Sequence, residues 1–393
     1  MIIVGGVYRE ECVRPNWSRI FGSAGRAAVA LSALSPRSHL VAYASTGWAE
    51  DVRQSMNGLG VTTDLREIPF DIAFHYFHPL SISDLVGAPD SPLPPISASG
   101  DVMLRFGMVE GDATVSARRA VYDPQHPSAA LLFHANGSTA KELAVVLNEA
   151  ELEYSAGGAD MWNYEIARGR FNADLIVVKR GPLGAVVMQP GGNIQISAYH
   201  SDSVFKLGSG DIFSAVFAHL WGERDWPVVK AADFASRAVA RYVSTRGTQV
   251  SLEGLEDLAP YAGGETAGRI YIAAPFFTLS QRWLVDEIRS CLAMLGGNTF
   301  SPIHDVGAYG GSDYIASKDL DGLRSCNTVL AVIDGEDAGT LFEVGYARSL
   351  GIPVVALAEA PRPESLTMLA GTGCTITDDF TTAIYGAIWS SLR

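Results

Sequence analysis

A short apolar run that ends in acidic residues and glycine constrains the fold of this chain most strongly. Residues 328–333 read Thr-Val-Leu-Ala-Val-Ile and have the length and composition of a buried strand. Residues 334–346 then supply four carboxylates and a Gly-Thr turn before a helical pattern begins. Ligands in open α/β sheets bind beyond the carboxyl ends of the strands, so this segment predicts a functional site. Glu343 is the strongest candidate, because an unpaired carboxylate among apolar neighbours is costly.

Length and composition narrow the class of protein. The chain has 393 residues, which favours two domains, and a net charge of −14, which argues against a nucleic-acid polymer as partner. It has four cysteines without a CxxC pair, so the sequence predicts reduced thiols rather than a zinc site. Neither a signal-peptide pattern nor an apolar run of about 18 residues is present, so we expect a cytoplasmic protein without a membrane partner.

Strand and helix signals alternate on both sides of a segment rich in proline and glycine, which indicates α/β layers. We predict a first domain over 1–262, a linker over 263–268 and a second domain over 269–393. The second domain has the pattern of a small flavodoxin-like, doubly wound parallel sheet. In the first domain the pattern predicts helices over 22–34, 49–59, 139–147, 211–221 and 228–244.

The first candidate site is the turn Gly208-Ser209-Gly210, which runs into a helix beginning near Asp211. Such a turn presents several backbone N–H groups at a helix N-terminus and can hold an anion. Asp211 by itself is typical of a helix N-cap. With a phosphate above the turn, the same carboxylate could instead deprotonate an attacking hydroxyl.

Two further segments follow predicted apolar runs. Asn148 and Glu151 could organise a Mg²⁺–phosphate group, because Mg²⁺ prefers oxygen ligands. Lys179, Gly181 and Gly184 lie in a loop after a clear buried strand, where a nucleotide would be held.

Residues 1 to about 247 resemble the ribokinase-type (PfkB) carbohydrate and nucleoside kinase family. The resemblance implies a ribokinase-like three-layer α/β domain that uses ATP and Mg²⁺, with Asp211 as general base. It also implies that Asn148 and Glu151 organise the metal. The matching pieces are GSAGRAAVALSAL at 22–34, GWAEDV at 47–52, Tyr122-Asp123, NEAE at 148–151, VVKRGPLG at 177–184 and GSGDIFSAVFAHL at 208–220.

The sequence departs from that family around the acceptor. Phe205-Lys206-Leu207 stands where an Asp-Thr pair is common, and Arg26 replaces the usual asparagine of the first glycine motif. The aspartate near the N-terminus that binds sugar hydroxyls in that family is not evident near Val7 to Glu10. Two alternatives therefore stay open for this half: a kinase with an uncommon acceptor, or a non-catalytic nucleotide-binding or oligomerising module.

The second candidate site begins at Tyr271 and continues through Pro275, Phe276 and Phe277, where a nucleobase or sugar could stack. Aromatic side chains at a strand end can equally cover the core. Asp319 lies on a predicted helix, and His304 follows a strand end at the same cleft.

Residues 269 to about 390 resemble the nucleoside 2-deoxyribosyltransferase family. The resemblance rests on YIAAPFF at 271–277, KDL at 318–320 and the D-x-G-T-x-x-E-x-G pattern at 337–345. It implies that Glu343 is the nucleophile and that Tyr271 orients it. It further implies that Asp337 contacts the base and Asp319 the sugar hydroxyls, with Gly339 and Thr340 lining the site.

These resemblances predict a bifunctional enzyme of nucleoside metabolism. The second domain would cleave or transfer an N-glycosidic bond without a cofactor, and the first would phosphorylate a sugar or nucleoside hydroxyl. The expected partners are small nucleosides, nucleotides and sugars, together with further copies of the chain in a homo-oligomer. A third possibility is a sensor that binds a nucleotide without turnover.

Overall fold

The computed structural model describes residues 1–125, 132–261, 264, 266–307 and 309–392. The chain forms two compact units: Met1–Ser201 with Phe205–Pro260, and Asp202–Val204 with Tyr261–Arg393. Of the predicted linker, residues 263 and 265 lie outside the described residues, as does residue 262. No helix in the described part of the chain combines the length and apolarity needed to cross a membrane.

The first unit is built around a nine-stranded sheet, with a separate four-stranded sheet beside it. In chain order its strands are β1 (Ile2–Gly6), β2 (Arg9–Cys12), β3 (Trp17–Ile20), β4 (His39–Ser45), β5 (Thr62–Ile68), β6 (Ala73–Tyr76), β7 (Asp84–Val86), β8 (Ile96–Phe106), β9 (Ala113–Asp123), β10 (Thr139–Asn148), β11 (Leu175–Lys179), β12 (Ala185–Gln189) and β13 (Gly192–Ile196). The large sheet has the order β13-β12-β11-β10-β9-β8-β1-β4-β5, and the small one β3-β2-β6-β7.

The helices of this unit follow the apolar patterns of the sequence. They are α1 (Gly22–Leu31), α2 (Ala49–Gly58), α3 (Glu149–Ala156), α4 (Tyr164–Phe171), α5 (Ser209–Phe217) and α6 (Val228–Thr245). A π-helical turn, Ala218–Glu223, extends α5. The small residues of α1, among them Ala24, Ala27 and Ala28, are fully buried and allow close packing.

The helix predicted over 139–147 is wrong, because this segment is strand β10. It pairs in parallel with β9 on one side and β11 on the other. Leu143, Val145 and Leu147 are buried in the core cluster of the unit. A short apolar run can be a buried strand or a buried helix, and pairing with two neighbours decides between them here. This pairing brings the ends of β9, β10 and β11 to one edge, so Asp123, Asn148 and Lys179 end neighbouring strands.

The second unit alternates strands and helices throughout. Its elements are β14 (Arg269–Ala273), α7 (Leu279–Met294), β15 (Asn298–Phe300), α8 (Ser312–Arg324), β16 (Thr328–Val332), α9 (Ala338–Ser349), β17 (Val354–Leu357), α10 (Thr367–Gly371), β18 (Thr375–Thr377) and α11 (Phe380–Ser391). The strands form one parallel sheet in the order β15-β14-β16-β17-β18. This is the flavodoxin-like strand order, and the predicted α/β class is confirmed.

The strand order of the second unit fixes the place of a ligand. The chain moves from β14 to one side of the sheet and then returns to β16 on the other side, so the order reverses between these two strands. In open α/β sheets a crevice forms outside the carboxyl ends of the strands at this point. The loops after β14 and β16 border it, and every residue of β16 is buried beneath it.

Candidate functional site

Tyr271 and Glu343 meet at the reversal point of the second unit. Tyr271 is fully buried on β14, and Glu343 lies on α9, the helix that follows β16. The Tyr271 hydroxyl donates a hydrogen bond to Oε1 of Glu343 at 2.6 Å. The distance is that of a charge-assisted O–H···O⁻ bond, so the tyrosine holds the carboxylate in one orientation.

The surroundings of Glu343 alter its acidity. The pKa of the Glu343 carboxyl is raised to about 7, mainly by burial and also by the nearby charges of Asp319 and Asp337, although the hydrogen bond from Tyr271 lowers it. Burial, and then the Glu343 charge, raise the pKa of the Tyr271 hydroxyl, so the tyrosine stays a neutral donor. A poorly solvated carboxylate held by one fixed donor is suited to act as a nucleophile.

Asp337 begins helix α9. Its Oδ2 accepts hydrogen bonds from the backbone N–H of Thr340 at 2.8 Å and from the Thr340 hydroxyl at 3.0 Å. Asp337 is thus the N-cap of α9, and Thr340 is buried against it. The predicted contact of Asp337 with a base stays a prediction, but the cap fixes this carboxylate at the start of the helix that carries Glu343, six residues before it.

Asp319 lies on α8 within electrostatic range of Glu343. Its Oδ1 is buried and has no hydrogen-bond partner among the described residues. Burial raises the pKa of the Asp319 carboxyl. An unpaired buried oxygen is unfavourable and is suited to a donor from outside the chain, such as a sugar hydroxyl.

The other predicted residues of this site divide into two groups. Pro275 is buried and Phe276 partly buried after β14, while 70% of Phe277 is exposed. Gly339 lies next to the Asp337 carboxylate, since a Cβ there would be 3.1 Å from Oδ2. His304 has partners within the protein: its Nε2 pairs with Asp286 at 2.8 Å and its Nδ1 contacts the Ser301 hydroxyl at 3.0 Å. Its contact with a substrate stays a prediction.

The other two carboxylates of residues 334–346 connect neighbouring loops. The Asp334 carboxylate accepts hydrogen bonds from the backbone N–H groups of Glu359 and Ala360 at 2.8 and 2.7 Å. Glu336 accepts hydrogen bonds from Arg362 and Ser365, both at 2.8 Å. These contacts leave Glu343 and Asp337 as the reactive candidates of the segment.

The first unit builds a separate polar site at the start of α5. Gly208 precedes the helix with φ of +75°, a left-handed conformation that glycine adopts without strain. Ser209 and Gly210 then open the helix, so their backbone N–H groups lie in its first turn, where anions are stabilised. Asp211 follows in the same turn and is 6% exposed.

Both oxygens of Asp211 accept hydrogen bonds from buried or partly buried side chains. Nη1 of Arg26 donates to Oδ2 at 2.6 Å, and Nε2 of Gln125 donates to Oδ1 at 2.6 Å. The second guanidinium nitrogen of Arg26, Nη2, forms a salt bridge with Glu10. Neither Glu10 nor Gln125 was singled out from the sequence as a site residue. Glu10 lies on the short strand β2. From the sequence alone a charged residue there is expected to be exposed to solvent, and its burial follows only from the four-stranded sheet.

Lys179 ends β11 beside the glycine turn. Its Nζ pairs with Oδ2 of Asp123 at 2.5 Å, and the Ser214 hydroxyl donates to the same oxygen at 2.7 Å. A Cβ at Gly210 would lie 3.4 Å from Nζ of Lys179, so this ammonium group adjoins the turn. The other Asp123 oxygen, Oδ1, is buried without a hydrogen-bond partner among the described residues.

The loop after β11 requires glycine for structural reasons. Gly181 and Gly184 have φ of +55° and +79°, and a Cβ at Gly184 would lie 2.1 Å from the Ile196 carbonyl oxygen. Their conformation explains their presence, and a contact with a nucleotide stays a prediction.

Asn148 and Glu151 form a capping box at the start of α3. Oδ1 of Asn148 accepts from the Glu151 backbone N–H at 2.9 Å, and Oε2 of Glu151 accepts from the Asn148 N–H at 2.8 Å. The pKa of Glu151 is raised to about 7, mainly by burial and also by the Asp123 charge, although Lys179 lowers it. The cap uses Asn148 Oδ1, so the pair suits a hydrated Mg²⁺ held through water better than direct coordination.

Comparison with known families agrees with the geometry of the second unit. Residues 270–380 match the nucleoside 2-deoxyribosyltransferase family model. The resemblance seen in the sequence is thereby confirmed for this deoxyribosyltransferase-like unit. No curated protein matches the chain.

Solved structures similar to the chain include kinases of the ribokinase family. A pyrophosphate-dependent kinase of that family, in complex with a pyrophosphate analogue and myo-inositol, is 16% identical with a TM-score of 0.48; the match covers 65% of this chain and 100% of that one. Fructokinase from Vibrio cholerae O395, bound to fructose, ADP and calcium, is 17% identical with a TM-score of 0.49. The match covers 65% of this chain and 98% of the fructokinase. A putative ribokinase II from E. coli is 13% identical with a TM-score of 0.49, covering 65% and 97% of the two chains.

Proposed function

We propose that the deoxyribosyltransferase-like unit breaks the N-glycosidic bond of a nucleoside or nucleotide, with Glu343 as nucleophile. The observation that carries this proposal is the 2.6 Å hydrogen bond from Tyr271 to Glu343 at the strand-order reversal. A carboxylate nucleophile replaces one difficult displacement by two easier ones.

In the first step an Oε atom of Glu343 forms an ester bond with the anomeric carbon. The bond between that carbon and the base nitrogen breaks, and its electron pair leaves with the base, which takes up a proton from Asp337 or from solvent. Asp337 caps the helix that carries Glu343 and is the group that we assign to the base. Asp319 would receive sugar hydroxyls on its unpaired Oδ1. In the second step water or an acceptor base attacks the same carbon and releases Glu343.

Trapping of the ester tests this proposal. The full chain is incubated with a mixture of ribo- and deoxyribonucleosides and their 5′-monophosphates, with and without free bases, and then analysed by mass spectrometry. We expect base release and a glycosyl adduct on the peptide that contains Glu343, and neither in Glu343→Gln. Tight nucleotide binding without product or adduct would instead identify a sensor. Product formed only with added base identifies a transferase, and product formed with water a hydrolase.

In the first unit, the polar site at the start of α5 is compatible with two functions. One is ATP–Mg²⁺-dependent phosphoryl transfer to a hydroxyl, with Asp211 as base. The other is nucleotide binding at Gly208–Gly210 and Lys179 without transfer. The contacts of Asp211 favour the second function, because Arg26 and Gln125 each donate to one of its oxygens. We therefore propose that this unit binds the phosphates of a nucleotide. Equilibrium binding of ATP to the wild type and to Lys179→Met tests this, with loss of affinity expected in the variant.

A further inference from the structure

Arg26 stands between two carboxylates at the glycine turn of the first unit. It contacts Asp211 through Nη1 and Glu10 through Nη2, and 1% of its side chain is exposed. We call Glu10, Arg26 and Asp211 the buried trio. Its three charged groups come from β2, α1 and α5, so the packing of the unit, and not a local turn, brings them together.

The guanidinium group also lies against Gly208, the first residue of the glycine turn. A Cβ at Gly208 would lie 2.0 Å from Nε of Arg26 and 2.2 Å from its Cζ. The group thus lies against the backbone that would hold a phosphate. A hydroxyl that receives a phosphoryl group must stand about 3 Å from both the base and the reacting phosphorus. Arg26 bonds to Asp211 through Nη1 while its Nε and Cζ lie against Gly208, so it fills space between the carboxylate and the turn that such a hydroxyl would need.

The buried trio is not easily opened. Taking away one partner of a buried ion pair leaves an uncompensated charge, which is strongly unfavourable. Arg26 would leave two carboxylates behind, Glu10 and Asp211, which are 8% and 6% exposed. An incoming neutral hydroxyl offers neither of them a compensating charge.

We propose that Arg26 blocks the acceptor position of the first unit, so that the unit binds a nucleotide without transferring its phosphoryl group. This inference rests on the nucleotide binding proposed above. It makes Arg26 a specificity-determining residue: the acceptor is excluded by a side chain of the protein, while Lys179 and the helix N-terminus remain as the nucleotide side of the site.

A gain of activity tests the proposal. The variants are Arg26→Asn, Arg26→Gln and a double variant that adds Glu10→Asp to an Arg26 substitution. Each is made with and without Asp211→Asn. ADP release from ATP and Mg²⁺ is measured with a panel of nucleosides and pentoses, and product phosphate is located by mass spectrometry. Arg105 is a matched control, since it is equally buried and paired with Asp112 outside this site; Arg105→Gln should gain nothing.

We expect no Asp211-dependent transfer above background in the wild type and transfer at least tenfold above that background in an Arg26 variant, lost again with Asp211→Asn. Asp211-dependent transfer in the wild type would overturn the proposal, particularly if Arg26→Gln abolished it, because Arg26 would then assist the reaction. Folded variants that bind ATP but gain no transfer activity would also overturn it.

If no Arg26 variant folds, the wild type decides: ATP binding without Asp211-dependent transfer upholds the proposal. Absence of ATP binding in the wild type would refute the nucleotide-binding function itself, a result distinct from the others.

Discussion

Tyr271 on β14 and Glu343 on α9 are 72 positions apart in the chain and share a hydrogen bond of 2.6 Å. The bond joins β14 to the helix that follows β16, and the strand order reverses between these two strands. It also explains how a carboxylate is accommodated among apolar residues in the helix, since its Oε1 has a fixed donor.

The raised pKa of Glu343 predicts a pH dependence. The nucleophile must be ionised, and with a pKa of about 7 its ionised fraction rises as the pH rises through 7. We expect kcat/KM for base release to increase about tenfold per pH unit below pH 6 and to level off above pH 8. The measurement is a pH–rate profile at substrate concentrations well below KM. A profile that is flat from pH 5 to 8 would contradict the role of Glu343.

Substitution of Tyr271 should move that profile. Its hydrogen bond opposes the rise in the pKa of Glu343, so Tyr271→Phe should shift the rising limb to higher pH. We also expect a loss of roughly 10²-fold in kcat, as for removal of one fixed donor at a reacting centre. A purely structural role would lower stability but leave the midpoint of the profile unchanged.

The same acidity predicts an effect on stability. The folded-state pKa of Glu343 is raised above its ordinary value of 4.5, so the protonated group favours the fold below that pH, and this contribution is lost as the pH rises through 7. Glu343→Gln, which stays neutral, should therefore gain stability relative to wild type at pH 8, by up to roughly 3 kcal/mol. At pH 4 the difference should nearly vanish. Urea unfolding at both pH values measures it, and an equal difference at both would exclude this account.

Asp337 combines two roles that substitution can separate. Asp337→Asn retains an oxygen for the Thr340 N–H and should preserve stability, while Asp337→Ala removes the cap and should cost about 1 kcal/mol. If Asp337 also handles the base, both variants should lose base release to a similar extent. Full activity in Asp337→Asn would leave only the cap.

The sequence predicted the second unit more completely than the first, for physical reasons. Strand 328–332 and helix 338–349 follow from apolar patterns that local residues determine. The segment 139–148 contains a similar apolar run, but its strand conformation depends on pairing with β9 and β11, which no local pattern records. The same limit applies to Glu10, because its burial depends on the partner Arg26 on another element. The role of Asp337 as N-cap likewise depends on its partner, the backbone N–H of Thr340.

Asn148 and Glu151 offer the last test, because capping and metal binding make different demands. Glu151→Gln keeps an oxygen for the Asn148 N–H, so the capping box and the stability of α3 should persist. The variant carries no charge, however, and a hydrated Mg²⁺ is bound mainly through charge. We expect Mg²⁺ to strengthen ATP binding in the wild type and to have much less effect in Glu151→Gln. Calorimetric titration with and without Mg²⁺ measures this, and Asn148→Ala, which should lose about 1 kcal/mol of stability, serves as the capping control. An unchanged Mg²⁺ effect in Glu151→Gln would assign the pair to capping alone.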